Sequence, residues 1–359
     1  MKQIHKTIPI PNDSNINRYF SENSGFFDIE TTGFSPNYAF VYLIGMAVRT
    51  KDTIHIHQFL AETRQEEKNV LAAFYKQSAP VHTLITFNGT RFDIPFLQSR
   101  ETLHSIRGNW DSQQITDLYK LTAKLSRLFQ LTDKKQKSIE KFLGIDREDQ
   151  FTGGELIQIY DQYEKTKNPH AETLLLLHNY EDVLGMTKLL SLFAYRDFFE
   201  LPPHVLSGTK DSNGIQLTLK APMAFPTPFN YRKGYAALTC QNTSAALRIQ
   251  ALHGELNYYY ENYKDYYYLP EEDMAIHKSI AAFVDPAHKK KATAATCYSK
   301  KSGQFLPQPE NIFTPCFYPK KKRGTSYFEL TEAFLSDQNA LNTYAASLLN
   351  YIYSQKANF

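Results

Sequence analysis

Cysteine is scarce in this chain. There are three, Cys240, Cys297 and Cys316, in 359 residues. They lie far apart, are odd in number and include no CxxC pair, so neither a disulfide framework nor a cysteine-based zinc site is indicated. A reducing, cytoplasmic setting is expected. Long apolar runs are missing as well. No window approaches the roughly 18–20 apolar residues of a membrane helix, and residues 1–15 hold no signal-like stretch. No membrane partner is expected. Repeats and low-complexity tracts are not found.

What is present is enough apolar material for a packed core, 42% of residues, and a length that accommodates two domains. Net charge is only +3, but it is uneven. Residues 1–200 hold 23 Lys+Arg against 25 Asp+Glu, and residues 201–359 hold 17 against 12. The Pro202-Pro203 pair separates the halves, which predicts domains over residues 1–203 and 204–359.

Apolar periodicity predicts strands over Gly25–Ile29, Val41–Arg49 and Thr53–Leu60, a helix over 65–78 and a fourth strand over Val81–Phe87. Three strands, a helix and a strand resemble the opening of a ribonuclease H-like α/β fold. Residues 1–24 read as a loosely attached polar lead-in. From Phe92 to Leu201 the pattern is mostly helical, ending in one long helix over Ala171–Phe199. Short strands follow: Ile215–Leu219, Tyr235–Cys240, Ala245–Ala251, Glu255–Tyr260, Tyr266–Leu269 and Thr293–Tyr298. A helix is expected over Met274–Val284 and a last one from an Asp337 cap to Tyr353. The fold class is therefore a mixed sheet flanked by helices, then a β-rich α+β domain.

Chemistry concentrates in three places. In Gly25-Phe26-Phe27-Asp28-Ile29-Glu30-Thr31-Thr32-Gly33 an apolar strand ends in two acids one residue apart. Residues i and i+2 of a strand share a face, so Asp28 and Glu30 project together. Such a pair repels itself unless something positive joins it, and hard carboxylate oxygens suit Mg²⁺ or Mn²⁺. An isolated Asp-X-Glu is as readily two solvated acids in a turn. Here it follows Phe26-Phe27 and precedes a turn, and other acids recur. Asp93 stands just past the Asn88-Gly89 turn. His178 and Asp182, four apart on a helix, share one face.

These pieces resemble the three exonuclease motifs of the DEDD superfamily. Asp28-Ile29-Glu30 looks like the first, and Asn88-Gly89-Thr90-Arg91-Phe92-Asp93 is similar to the second. His178-Asn179-Tyr180-Glu181-Asp182 stands where the third belongs. The likeness is strongest to a bacterial branch of ribonuclease H-like exonucleases. It extends over Asp117-Leu118-Tyr119 and Leu143-Gly144-Ile145 and spans about residues 24–195. One departure is a histidine at the position of the third motif's tyrosine. The resemblance implies two-metal hydrolysis of phosphodiester bonds, 3′ to 5′. Asp28, Glu30, Asp93 and Asp182 would hold two Mg²⁺ or Mn²⁺ ions, and His178 would orient or deprotonate a water. Thr31 and Thr32 would offer backbone N–H groups to the terminal nucleotide. Asn88 and Phe92 would shape its pocket, with a core aromatic an equally good reading of Phe92. The implied partner is DNA or RNA, engaged at a single-stranded 3′ end. Two other readings stay open: a non-catalytic nucleic-acid-binding or assembly protein that keeps the fold, and a structure-selective endonuclease.

The second half has basic clusters at His288–Lys291, Lys300-Lys301 and Lys320–Arg323. Tyrosines crowd Tyr258–Tyr260, Tyr263 and Tyr266–Tyr268. Such a combination makes a platform for single strands, or else solvated loops and half-buried rings.

Overall fold

The computed structural model describes residues 1–354. The chain forms two compact units, one of residues 1–196 with 225–227 and one of residues 197–224 with those from 228 onward.

The first unit contains β1 (Lys2–Pro9), α1 (Ser14–Tyr19), β2 (Ser24–Thr31), β3 (Val41–Thr50), β4 (Thr53–Leu60), α2 (Glu67–Ser78), β5 (Thr83–Thr86), α3 (Asp93–His104), β6 (Gln114–Asp117), α4 (Leu118–Leu125), α5 (Gln136–Phe142), α6 (Gly153–Thr166), α7 (Pro169–Leu189) and α8 (Leu192–Glu200), the last running into the second unit. Its six strands are ordered β1-β4-β3-β2-β5-β6. The first four pair antiparallel, whereas β5 and β6 join parallel. Successive residues of β2 face opposite ways. Phe27 meets Phe74 of α2 on one side, ring centroids 5.3 Å apart, while the Asp28 side faces α7. The sheet is thus mixed and flanked by helices.

Several expectations need correction. Residues 2–9 are no loose lead-in: β1 pairs with β4 from Lys2↔Leu60 to Pro9↔Thr53. An edge strand half open to water can be polar and still belong to the sheet. The strand β6 was hidden by its brevity. The long helix is two, because the chain turns at residues 190–191 between α7 and α8. Asn168 caps α7 with Pro169 in its first turn, a strong start that apolar periodicity alone does not reveal.

The second unit contains β7 (His204–Asp211), β8 (Gly214–Lys220), β9 (Phe229–Lys233), β10 (Ala236–Gln241), β11 (Ser244–Gln250), β12 (Leu252–Tyr259), β13 (Tyr266–Leu269), β14 (Met274–His277), α9 (Lys278–Ala281), β15 (Lys290–Lys291), β16 (Tyr298–Gln308), β17 (Phe317–Tyr318), β18 (Ser326–Glu329), α10 (Glu332–Ser336) and α11 (Gln338–Tyr353). An antiparallel sheet of order β7-β8-β11-β10-β9 accompanies a small barrel of β12-β16-β18-β17 and a three-stranded sheet of β14-β13-β15. The helix expected over Met274–Val284 begins instead as β14, paired with the tyrosines of β13. The strand expected over Thr293–Tyr298 lies later, as β16. Asp337 caps α11 as anticipated, and Leu341, Leu348, Leu349 and Ile352 are buried.

Candidate active site

The end of β2 is the floor of the site. Phe26 and Phe27 are fully buried and anchor the strand. Asp28 lies opposite Gly45 of β3, and Glu30 opposite Leu43. Gly45 is required there for space: a Cβ on it would stand 2.1 Å from Asn179 Oδ1. Its bare backbone lets α7 press close. Asn179 Nδ2 then donates to Asp28 Oδ2 at 3.3 Å, while Asn179 Oδ1 accepts from Gln58 Nε2 at 3.1 Å.

Asp93 opens α3, just past the loop that follows β5. Its Oδ1 accepts the Ile29 N–H at 3.2 Å, between the two acids of β2. The loop is fixed by Asp117. One carboxylate accepts from Asn88 N at 2.8 Å, Thr90 N at 3.2 Å and Thr90 Oγ1 at 2.5 Å, and caps α4 through Tyr119 N at 3.0 Å. Asn88 takes a positive φ of 65° in this turn, which suits asparagine.

His178 and Asp182 come from α7. His178 Nε2 lies 3.0 Å from Asp182 Oδ2 and 3.6 Å from Glu30 Oε1. Its Nδ1 lies 2.6 Å from Asp149 Oδ2. The other oxygen of Asp182 accepts from Arg147 Nη1 at 2.7 Å, and the same nitrogen reaches Glu140 Oε2 at 3.1 Å. Lys137 Nζ donates to Asp149 at 2.9 Å. Glu181 accepts the N–H groups of Glu148 and Asp149, each at 2.9 Å. It holds the 147–149 turn and does not enter the cluster.

Electrostatics divides the acids into two kinds. Burial, then the charges of Asp182, Glu30 and Asp93, push the Asp28 carboxyl well above its ordinary range. Burial raises Glu30 to about 8, against the pull of His178. Asp93 rises to about 7, again by burial first. Asp182 stays low in spite of burial, because His178 and Arg147 donate to it. Burial would lower His178, yet the Asp182 hydrogen bond and the charges of Glu30, Asp182 and Asp149 lift it to about 9.

All five residues singled out as catalytic therefore meet in one place, drawn from β2, α3 and α7. Donor atoms of Glu30, His178 and Asp182 lie within 4.8 Å of one another. Crowded, desolvated carboxylates short of cationic partners are what a hard divalent ion relieves. The donor set fits such an ion.

The other expected contacts fare differently. The Thr32 N–H donates to the Phe40 carbonyl at 3.1 Å, so it closes its own loop and is not open to a nucleotide. Thr31 Oγ1 donates to the Gly33 carbonyl at 2.8 Å. Phe92 is half-buried, against Phe96 at 5.6 Å and edge-on to Phe34 at 6.3 Å. Phe34 and Tyr38, in the loop after β2, are 89% and 93% exposed. Sequence reading missed Asp149, Arg147 and Lys137, which steer His178 and Asp182. They lie outside any apolar period. The dense charge of Asp146-Arg147-Glu148-Asp149 was the available signal.

Residues 25–194 match the model of the RNase_H superfamily. With the mixed sheet and its flanking helices, this makes them a ribonuclease H-like domain. The chain is 28% identical over 180 residues to the uncharacterized protein YprB of Bacillus subtilis (strain 168), covering 48% of this chain and 42% of that protein. It thus spans less than half the length of that relative. Among solved structures, the family B DNA polymerase of Pyrobaculum calidifontis aligns at 13% identity with a TM-score of 0.37, covering 65% of this chain and 33% of the polymerase. The zinc-bound complex of E. coli exonuclease I with single-stranded DNA aligns at 12% identity with a TM-score of 0.30, covering 60% and 54%. Among the described residues no helix is long and apolar enough to cross a membrane.

Proposed function

We propose that this protein is a metal-dependent nuclease of the DEDD type that digests nucleic acid from a single-stranded 3′ end. The observation that carries the reading is the convergence of Asp28, Glu30, Asp93 and Asp182, from three distant segments, beside His178. A scaffold has no use for three desolvated acids with raised proton affinity, because each is held at a cost to folding. The direction of digestion rests on the motif resemblance.

Bound at these carboxylates, two Mg²⁺ or Mn²⁺ ions would supply an acidified water and neutralise charge at the departing 3′-oxygen. The chain's own residues set up the rest. Asn179 and the Ile29 N–H fix the directions of the Asp28 and Asp93 carboxylates. Asp149 anchors Nδ1 of His178 and turns Nε2 toward Glu30 and Asp182, where that atom can hold or pass a proton. Arg147 keeps Asp182 ionised. Asn88, Phe92 and Thr31 would border a terminal nucleotide.

End-labelled single- and double-stranded DNA and RNA, assayed with Mg²⁺ and with Mn²⁺, test the reading. Products shortening stepwise from the 3′ end support it. Internal cuts would replace it with an endonuclease. No product with either ion would leave a non-catalytic binding or assembly protein.

A further inference from the structure

The five-stranded sheet of the second unit has one face turned inward and one outward. Leu217, Leu247 and Leu238 stand side by side across β8, β11 and β10 and are buried. One residue along, the pairing sets Gln216, Arg248, Ala237 and Arg232 in a row across β8, β11, β10 and β9. Alternation turns that row to the opposite face. Both arginines are exposed and Ala237 between them is half-buried. Strands lie about 4.8 Å apart, so the arginine stems stand roughly 10 Å apart with a single methyl group between them. The gap forms part of a depression of about 440 Å³. A volume of that order holds a small ligand.

Its two positive charges outnumber the one negative charge in the lining. Among the described residues the only carboxylate in the lining is Asp211, whose Oδ1 accepts from Asn213 N at 2.7 Å and Gly214 N at 3.0 Å in its own turn. Arg248 Nη2 donates to the neutral Gln216 Oε1 at 3.3 Å, and among the described residues neither arginine has an acid partner. The lysine clusters of this unit are in part neutralised. Lys300 pairs with Asp273 at 2.7 Å and Lys301 with Glu329 at 2.6 Å, while Lys289 donates to the Val284 carbonyl at 2.7 Å. Two guanidinium forks without acid partners, held on β9 and β11 with β10 between them, match phosphate oxygens better than mobile lysines do.

We propose that this row is a phosphate-binding site for a single strand of nucleic acid, with Arg232 and Arg248 each taking a backbone phosphate. The choice of strand rests on the nuclease reading of the first unit. The site itself is separate from that chemistry. The test is fluorescence anisotropy of a labelled oligothymidylate with the full chain in EDTA, over a salt series. Arg232→Ala/Arg248→Ala should make the slope of log K against log salt shallower by about 1.4, at about 0.7 per lost phosphate contact on a single strand. Lys300→Ala/Lys301→Ala removes the same charge and should change the slope much less. An unchanged slope in the arginine pair, or an equal change in both variants, overturns the proposal. Thymidine monophosphate shares the phosphate and is the second arm: binding as tight as the strand's would overturn the assignment to a strand. Hydrolysis is scored separately with metal. A slope that falls in a protein that cuts nothing keeps this site and removes the nuclease reading, and cutting with an unchanged slope does the reverse.

Discussion

Replacing Glu30 by Gln should make the metal-free protein more stable while ending metal-dependent hydrolysis. The Glu30 carboxyl ordinarily titrates at 4.5 and is raised to about 8 in the fold. Between those values the native state holds a proton that the unfolded chain has released. Stability therefore falls as pH rises through that window. At about 1.4 kcal/mol per unit, keeping the proton at pH 7 costs about 3 kcal/mol, and at pH 5 under about 1 kcal/mol. Those are upper figures, because Glu30, Asp28, Asp93 and Asp182 redistribute protons among themselves. Glutamine has nearly the same shape and no such cost. Urea unfolding in EDTA at pH 5 and pH 7 measures the difference. The expected gain at pH 7 corresponds to roughly 6–12 °C in Tm for a unit of this size. Adding Mg²⁺ or Mn²⁺ should stabilise the wild type more than Glu30→Gln. A variant less stable than wild type at pH 7, or equally improved at both pH values, would refute the reasoning.

Other outcomes follow from the same geometry. Asp28→Ala or Asp182→Ala should abolish hydrolysis with an unchanged circular dichroism spectrum; full activity in either defeats the assignment. Asp149→Asn removes the anionic anchor of His178 and should lower the rate by about 10–100-fold, with the limb of the pH–rate profile that His178 governs moving to lower pH. An unmoved profile would show that Asp149 only fills space. Gly45→Ala forces a methyl into Asn179 and should cost about 1–3 kcal/mol in a urea melt; an unaltered midpoint would mean that α7 is free to shift.

The parts of the first unit that read most clearly were those where one physical pattern acts alone. Gly25–Ile29 is short and apolar apart from Asp28, and the i, i+2 spacing of Asp28 and Glu30 is a consequence of strand geometry. The four-residue spacing of His178 and Asp182 follows equally from a helix. What could not be read are features set by tertiary context. The polar strand β1 owes its shape to β4, which no local pattern announces. The break between α7 and α8 falls in a Leu-rich stretch, Lys188-Leu189-Leu190-Ser191-Leu192, with no proline or glycine to mark it. Asp149 and Arg147 act through a turn whose position depends on Glu181. In the second unit, two- and four-residue strands such as β15, β17 and β18 are too short to carry a period. The row of Arg248, Ala237 and Arg232 exists only once the register is known.

The placement of β1 at the rim bears on how the molecule behaves in a crowd. It puts Lys6 and Pro9 along one border of a six-stranded sheet. Positive charge and a missing N–H discourage a neighbouring molecule from adding a strand. Without that guard, β4, with Ile54, Ile56 and Phe59, becomes the border. Light scattering of a chain lacking Lys2–Pro9 should then reveal self-association that the intact protein resists.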